Sequence, residues 1–177
     1  MGSALLAIEI GLMGPNHLMS MACASSNYSF YTTTDHIRKG NVDIMVAGGS
    51  EAVFIPCGVG GFIAYRAVSP EQRMDEGYQT IGQGSIKQIM ESLEATKRGA
   101  NIIAGYLGGS ISSEAHHITE PHPDGLGISH CTENSLEDAR FSPEEANVNY
   151  INAHSTLIQA GDLAELNAIH IFVQGHL

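Results

Sequence analysis

The sequence predicts an α/β fold, and three observations lead to that prediction. Helix-like and strand-like apolar patterns alternate along the chain, which is typical of helices layered on a sheet. Hydrophobic residues make up 43% of the sequence and charged residues only 15%, so the chain can bury a core and is not disordered. Glycine accounts for 20 of the 177 residues, which indicates many tight turns.

The strands are predicted from short apolar runs, at residues 17–22, 42–47, 102–112 and 148–153, with a further strand end near Ile89. The run VDIMVA at 42–47 stops at Gly48-Gly49 and suits a buried central strand of a mainly parallel sheet. The glycine-rich stretch at 52–65 predicts a buried loop with a short helix. These strands need helices between them.

Helices are predicted from apolar spacing and from capping residues. The opening helix contains the apolar residues from Leu5 to Leu12 and ends at Gly11 and Gly14-Pro15. Ser25 or Ser26 is a suitable N-cap for the next helix, although the Thr32-Thr33-Thr34 run weakens it because β-branched side chains lose rotamer freedom. That helix closes at Gly40. Of the remaining helices, one closes near Gly99, one begins at Ser142-Pro143, and one covers residues 161–171.

Charge and cysteine content exclude several classes of protein. The net charge is -11, which leaves little to bind a phosphate backbone, so nucleic acid is not an expected partner. Three cysteines without a CxxC pair favour a reducing compartment over a disulfide framework. The first basic residue is Arg38, so we expect a chain that begins inside a mature protein or has lost its leader. Residues 10–34 are uncharged, but their glycine, proline and polar residues argue against a membrane span.

Cys23 is the first candidate for chemistry. It lies in SMACASSNYS, where the predicted strand turns into the predicted helix. The reactive form of cysteine is the thiolate, and a helix N-terminus favours negative charge. The small neighbours Ala22, Ala24 and Ser25 leave the sulfur accessible. The alternative is a buried structural cysteine, and the turn leaves the two interpretations about equally supported.

His154 is the second candidate. It ends the apolar run in NYINAHS, and the carboxyl end of a strand in an open α/β sheet is where ligands usually bind. There an imidazole can donate a hydrogen bond to a carbonyl oxygen that gains negative charge. A core histidine satisfied by the backbone is the alternative.

Other motifs carry weaker signals. The residues His116, His117, His122, His130 and Cys131 match no spacing of a metal site, so no metal is expected. Gly82-Gln83-Gly84 lacks the surroundings of a dinucleotide fingerprint. We expect Cys57 and the seven methionines to serve packing.

Four segments together resemble the β-ketoacyl-[acyl-carrier-protein] synthases of fatty-acid elongation, of the I/II type and the plant plastid branch. They are MACASSNYSFYTTTDHIRKGNVDIMVAGGSEA, GVGGFIAYRAVSP, MESLEATKRGA and NYINAHSTLIQAGDLAELNAI. The resemblance implies a thiolase-like layered α/β fold, present here in part, and a homodimer. It also implies a decarboxylating Claisen condensation between an acyl-cysteine enzyme and malonyl carrier protein, with no cofactor. The location it implies is the plastid stroma.

The resemblance carries over to three residues. Cys23 matches the family nucleophile, whose backbone N–H is expected to contribute to an oxyanion hole. His154 matches the first of two catalytic histidines, which binds the malonyl thioester carbonyl and stabilises the enolate. Thr156 is expected to contribute to substrate binding.

The departures from the family qualify these expectations. Residues 1–177 match the end of the N-terminal half and the start of the C-terminal half, without the family's lysine, its second histidine or its glycine-rich gating loop. Gln83 stands where the family motif has a glutamate, and Ile86 stands near one of its glycines. Leu157 and Ile158 replace hydroxyl residues expected along the pantetheine arm. Acyl carrier protein is acidic, as is this chain. We therefore expect little or no turnover by the chain alone and leave two alternatives open, an inactive interaction module and a polyketide-type ketosynthase.

Overall fold

The computed structural model describes residues 2–50, 55–64, 86–92, 94–117, 120–141, 148–156 and 158–176. They form two compact units, Met1–Ala100 and Asn101–Leu177. Helices and strands are mixed, as the sequence predicts. None of the described helices is both long and apolar enough to cross a membrane.

Two helices open the first unit. Helix α1 (Gly2–Ile10) ends where Gly11 adopts a φ of +71°, a left-handed conformation that glycine takes without strain. Helix α2 (Ser25–Arg38) ends in the same way at Gly40, with a φ of +69°. The prediction of both helices is confirmed. The threonine run lies inside α2, where the Thr34 hydroxyl donates to the Phe30 carbonyl at 3.0 Å.

Strand β1 (Ile44–Gly49) pairs antiparallel with β2 (Ile86–Glu91), in a register that runs from Ile44 opposite Glu91 to Gly49 opposite Ile86. The predicted strand is present but lies two residues later and includes its two glycines. It has no parallel neighbour among the described residues.

Helix α2 packs on β1, including its last residue, Gly49. Thr33, Thr34 and Ala47 are the buried residues of this contact, at 2%, 7% and 4% exposure. A Cβ at Gly49 would collide with the Ser26 hydroxyl, so the helix and strand approach at a position that only glycine fills.

Two short helices complete the first unit. Helix α3 (Pro56–Ala64) confirms the short helix predicted for residues 52–65, of which 52–54 and 65 lie outside the described residues. The burial predicted for this stretch is wrong, because Ile55 is 57% exposed. Helix α4 (Glu94–Lys97) ends before Gly99, which has a φ of +74°, and confirms the strand-to-helix prediction near Ile89.

The second unit is built on helices α5 (Leu126–Asp138) and α6 (Gln159–His176). Ala164, Ala168 and Phe172 recur every fourth residue on α6 and are buried. Gly125, at the start of α5, has a φ of +68°, and a Cβ there would lie 2.6 Å from the Ala168 backbone nitrogen. The predicted final helix is confirmed and extends beyond both predicted ends.

Three of the predicted strands are wrong. Residues 17–22, 102–112 and 148–153 form no strand, and many of their apolar side chains are exposed, including Ile103 at 95% and Tyr150 at 77%. A strand requires a hydrogen-bonded neighbour, and the described residues supply none for these segments. The helix start predicted at Ser142-Pro143 lies outside the described residues.

Candidate functional site

Cys23 lies in a tight turn that leads into α2. The turn is a 3-10 helix, Ala22–Ala24, and the Ala24 N–H donates to the Met21 carbonyl at 3.0 Å. The Ser25 hydroxyl closes it from both sides, because it accepts from the Met21 N–H at 2.8 Å and donates to the Ala22 carbonyl at 2.7 Å. The predicted N-cap role of Ser25 or Ser26 is therefore wrong, since Ala24 holds the N-cap position and no side-chain hydrogen bond caps the helix. The Ser25 hydroxyl stabilises the preceding turn instead of the first N–H groups of α2.

The turn has an unusual backbone. Ala22 has a φ of +47°, a conformation that costs free energy for a residue with a Cβ and that recurs at functional sites. It reverses the chain directly before Cys23, whose side chain is exposed. Exposure excludes the alternative of a buried structural cysteine. The strand-to-helix setting is corrected to a 3-10 turn followed by a helix.

The hydrogen bonding around Cys23 also suits anion binding. The two backbone hydrogen bonds of the turn use the N–H groups of Ala24 and Ser25 as donors, not that of Cys23. The N–H groups at the start of a helix lack intrahelical acceptors and favour negative charge. Since neither of these hydrogen bonds uses the Cys23 N–H, a nucleophilic side chain and a backbone donor lie in the same residue.

His154 lies in the second unit, in an irregular segment before α6, and is exposed. Its backbone N–H donates to Glu165 Oε1 at 2.7 Å, and the Ser155 N–H donates to Glu165 Oε2 at 2.8 Å. Ser155 has a φ of +41°, so the backbone is strained here as well. A single carboxylate on α6 fixes the backbone that carries His154.

Glu165 is the residue that the sequence analysis missed. It lies within the family-like segment at residues 149–169, in which the resemblance assigns roles only to His154 and Thr156. Glu165 is the seventh residue of α6, where the sequence alone does not distinguish it from a carboxylate on a solvated helix face, and its contacts are with residues ten and eleven positions earlier. The left-handed φ of Ser155, which creates this contact, has no signature in the sequence.

The remaining candidates from the sequence are Thr156, Cys57, the methionines and Gly82-Gln83-Gly84. Thr156 is exposed and lies two residues after His154 in the second unit, whereas Cys23 lies in the first unit. Cys57 is exposed on α3, so its predicted packing role is wrong, and the same holds for Met13 at 99% exposure. The motif at Gly82-Gln83-Gly84 lies outside the described residues.

The histidine-rich segment has structural contacts of its own. The His116 and His122 rings meet edge to face with centroids 4.6 Å apart. The backbone N–H of His122 donates to Glu114 Oε2 at 2.9 Å. The Cys131 thiol donates to the Ser110 carbonyl at 3.5 Å. Within the described ranges, no group of three or more His, Cys, Asp or Glu side chains is placed to hold a metal ion.

Comparison with family models gives two matches. The model for the beta-ketoacyl synthase N-terminal domain matches residues 1–84, and the model for the C-terminal domain of the same family matches residues 103–176. The two matches fall in the first and second unit, respectively.

Curated relatives agree over nearly the whole chain. The chain is 56% identical to the chloroplastic 3-oxoacyl-[acyl-carrier-protein] synthase I of Arabidopsis thaliana, over 96% of this chain and 38% of the relative. It is 46% identical to the chloroplastic synthase II of the same plant, over 98% of this chain and 34% of the relative. The chain thus spans little more than a third of the length of these relatives.

Solved structures of ketosynthases share the fold. A type II polyketide ketosynthase in complex with its acyl-carrier protein matches with a TM-score of 0.88 and 32% identity, over 97% of this chain and 44% of that one. A beta-ketoacyl synthase from Burkholderia phymatum matches with a TM-score of 0.81 and 27% identity, over 96% and 43%. The predicted thiolase-like α/β fold is confirmed, in part of its length. With both of its units matched by consecutive domains of one family, the chain belongs to the β-ketoacyl synthases.

Proposed function

We propose that Cys23 and His154 are residues of the condensing centre of a fatty-acid-elongating 3-oxoacyl-[acyl-carrier-protein] synthase. The observation that carries this proposal is the placement of Cys23, exposed on a strained turn at the start of the 14-residue helix α2. The 56% identity to a plant synthase I supports the fatty-acid substrate class over the polyketide class, for which the structural neighbour is 32% identical.

Cys23 is assigned the nucleophilic step. Its sulfur attacks the carbonyl carbon of an acyl thioester, a C–S bond to Cys23 forms, and the carrier thiol leaves with a proton. The oxygen of the tetrahedral intermediate becomes negative, and the Cys23 N–H is the donor that can stabilise it. The product is an acyl group covalently held on Cys23.

His154 is assigned to the second substrate. A hydrogen bond from its imidazole to the malonyl thioester carbonyl stabilises the enolate that forms when the C–CO₂ bond breaks. The enolate carbon then attacks the acyl-Cys23 carbonyl, and the Cys23 sulfur leaves as the thiolate. Glu165 does not touch substrate in this scheme; it positions the His154 backbone through its two hydrogen bonds.

The complete reaction needs more groups than these. In the family the histidine acts with a lysine and a second histidine, which have no counterpart in the 177 residues, and cooperating catalytic groups lose most of their effect when one is missing. The proposal is that residues 1–177 comprise the end of the N-terminal half and the start of the C-terminal half of the fold. We expect acyl transfer to Cys23 but little or no condensation.

The test separates the two half-reactions. The purified chain is incubated with an acyl thioester, and peptide mass spectrometry measures the acyl adduct on each cysteine. We expect the adduct on Cys23, its loss in Cys23→Ser, and no change in Cys57→Ser, the matched control. Adducts spread equally over Cys23 and Cys57 would contradict the assigned nucleophile. Elongation of radiolabelled malonyl carrier protein by the chain alone would contradict the expected lack of condensation.

The expected partners are acyl carrier protein and a second synthase chain, in the plastid stroma. Chloroplastic relatives and a ketosynthase solved with its carrier protein support them. Since the chain carries a net charge of -11 and carrier protein is acidic, we expect carrier binding to be weak and to strengthen with added salt, which screens the repulsion.

A second candidate function is an interaction module without catalysis. Exposed apolar side chains on and after α1 favour it, with Ile8 at 79% and Met13 at 99% exposure. Size-exclusion chromatography with a full-length synthase tests it. Co-elution supports the module, and separate elution at micromolar concentrations excludes it.

A further inference from the structure

Two histidines outside the condensing centre meet in the first unit. His17 lies in the irregular segment between α1 and α2, and His36 lies in the last turn of α2. Their Nε2 atoms are 2.9 Å apart, the ring centroids are 5.0 Å apart, and the ring planes differ by 20°. The distance between the ring centroids is longer than the distance between the two nitrogens by nearly twice the distance from a ring's centroid to its own nitrogen. The rings therefore lie end to end and almost in one plane, with the two Nε2 atoms directed at each other.

This arrangement holds one proton between the two nitrogens. One Nε2 donates and the other accepts, so at least one imidazole is neutral. Asn41 Nδ2 lies 3.2 Å from His36 Nδ1. If the amide donates there, His36 carries its proton on Nε2 and donates to the lone pair of His17. Two protonated rings would place N–H against N–H and separate the pair.

We propose that His17 and His36 form a two-nitrogen site for a borderline transition-metal ion such as Zn²⁺, Ni²⁺ or Cu²⁺. Both neutral rings bind the ion through Nε2, and the His36 proton moves from Nε2 to Nδ1 on binding. Neutral imidazole is a preferred ligand of these ions. With Zn–N bonds of about 2.0–2.1 Å at a tetrahedral angle, the two nitrogens would lie about 3.3 Å apart. From its present 2.9 Å the pair must open by a few tenths of an ångström, and both rings must also tilt off the line between the two nitrogens so that both lone pairs point at the ion.

The surroundings support such a site. His17 is exposed and His36 half-buried, which leaves room for water molecules as the other ligands. Asn41 lies at the far nitrogen of His36, where its amide oxygen, after rotation of the amide, can accept the Nδ1–H of the ligating ring and orient it. The Lys39 ammonium is paired with Asp35 at 2.7 Å, which offsets the positive charge one turn away. The net charge of -11 favours cations in general.

Metal binding would connect two parts of the first unit. The ion bridges the segment before Cys23 to the end of the helix that follows Cys23, and so restrains both sides of that turn. This inference does not rest on the proposed condensing function, because the two histidines belong to neither assigned step.

The test is a Zn²⁺ titration of the full chain by isothermal calorimetry. We expect His17→Asn and His36→Asn each to weaken one binding event about tenfold or more. His130→Asn, an exposed histidine on α5, is the matched control and should leave that event unchanged. Binding should weaken between pH 7.5 and pH 5.5, since the metal competes with protons for the imidazole lone pairs. Unchanged Zn²⁺ binding in both pair variants would overturn the proposal.

A second measurement avoids substitutions that could disturb folding. Imidazole nitrogen NMR of the unsubstituted chain should show the Nε2 resonances of His17 and His36 shifting together with Zn²⁺. If only the other histidines shift at saturating Zn²⁺, the site is elsewhere and the proposal is wrong.

Discussion

At the scale of single residues, the three thiols differ in their surroundings. Cys23 and Cys57 are exposed, whereas Cys131 is half-buried and donates to the Ser110 carbonyl. Cys23 alone follows a residue with a left-handed φ. We expect iodoacetamide to modify Cys23 first, Cys57 next and Cys131 last, as measured by peptide mass spectrometry over time. Labelling in urea supplies the control, because the rates should converge once the chain unfolds. Equal rates in the folded chain would contradict an activated Cys23.

Glu165 allows a second residue-scale prediction. Its carboxylate accepts the N–H groups of both His154 and Ser155, whereas the amide in Glu165→Gln has only one acceptor oxygen. A lost charge-assisted hydrogen bond at this exposed position costs about 1 kcal/mol. Amide exchange at residues 154 and 155 should then quicken about fivefold, as measured by NMR. Glu137→Gln, an exposed change on α5, is the control. Unchanged exchange would show that Glu165 does not position the turn.

At the scale of elements, one glycine at the contact between α5 and α6 and one glycine away from it give opposite predictions. In Gly125→Ala, the new Cβ meets the α6 backbone at Ala164 and Ala168, and the φ of +68° is unfavourable for alanine. We expect a loss of several kcal/mol in the free energy of unfolding, or failure to fold. In Gly161→Ala, within α6, the Cβ meets nothing within 4 Å. That change should stabilise by about 0.5–1 kcal/mol.

Urea unfolding followed by circular dichroism measures both variants. The midpoint should fall for Gly125→Ala and rise for Gly161→Ala, relative to the unsubstituted chain. An unchanged or raised midpoint for Gly125→Ala would contradict the close contact between the start of α5 and α6, and a lowered midpoint for Gly161→Ala would contradict the open space around Gly161.

The elements also show why part of the fold could be predicted and part could not. Helices α1, α2 and α6 depend on hydrogen bonds within each segment, so local sequence patterns predict them, and Gly11 and Gly40 mark the ends of the first two. The apolar runs at 102–112 and 148–153 carry a strand pattern, but a strand is fixed by a neighbour that may be distant in sequence. The same limit applies at the site. The sequence predicts Cys23 as a site residue because it precedes a local helix. It does not predict Glu165, because that side chain accepts hydrogen bonds from residues ten and eleven positions earlier.

At the scale of the whole molecule, the exposed apolar surface decides the stability. Ile103, Leu107 and Tyr150 in the second unit are 95%, 63% and 77% exposed, and Met13 in the first is 99% exposed. Such surface binds partners or aggregates, and its exposure removes part of the hydrophobic free energy that stabilises a domain. We therefore expect a broad, low-temperature thermal transition and strong binding of the dye ANS before unfolding.

Differential scanning calorimetry and ANS fluorescence test this expectation, with the full-length Arabidopsis synthase I as the control. The longer relative should melt sharply and bind little dye, because segments beyond the matched region can cover the corresponding apolar surface. Adding that relative to the present chain should lower the dye signal if the exposed residues form an interface with a second synthase chain. A soluble monomer of this chain with one sharp two-state transition and no ANS binding would show that its exposed apolar residues need no covering partner.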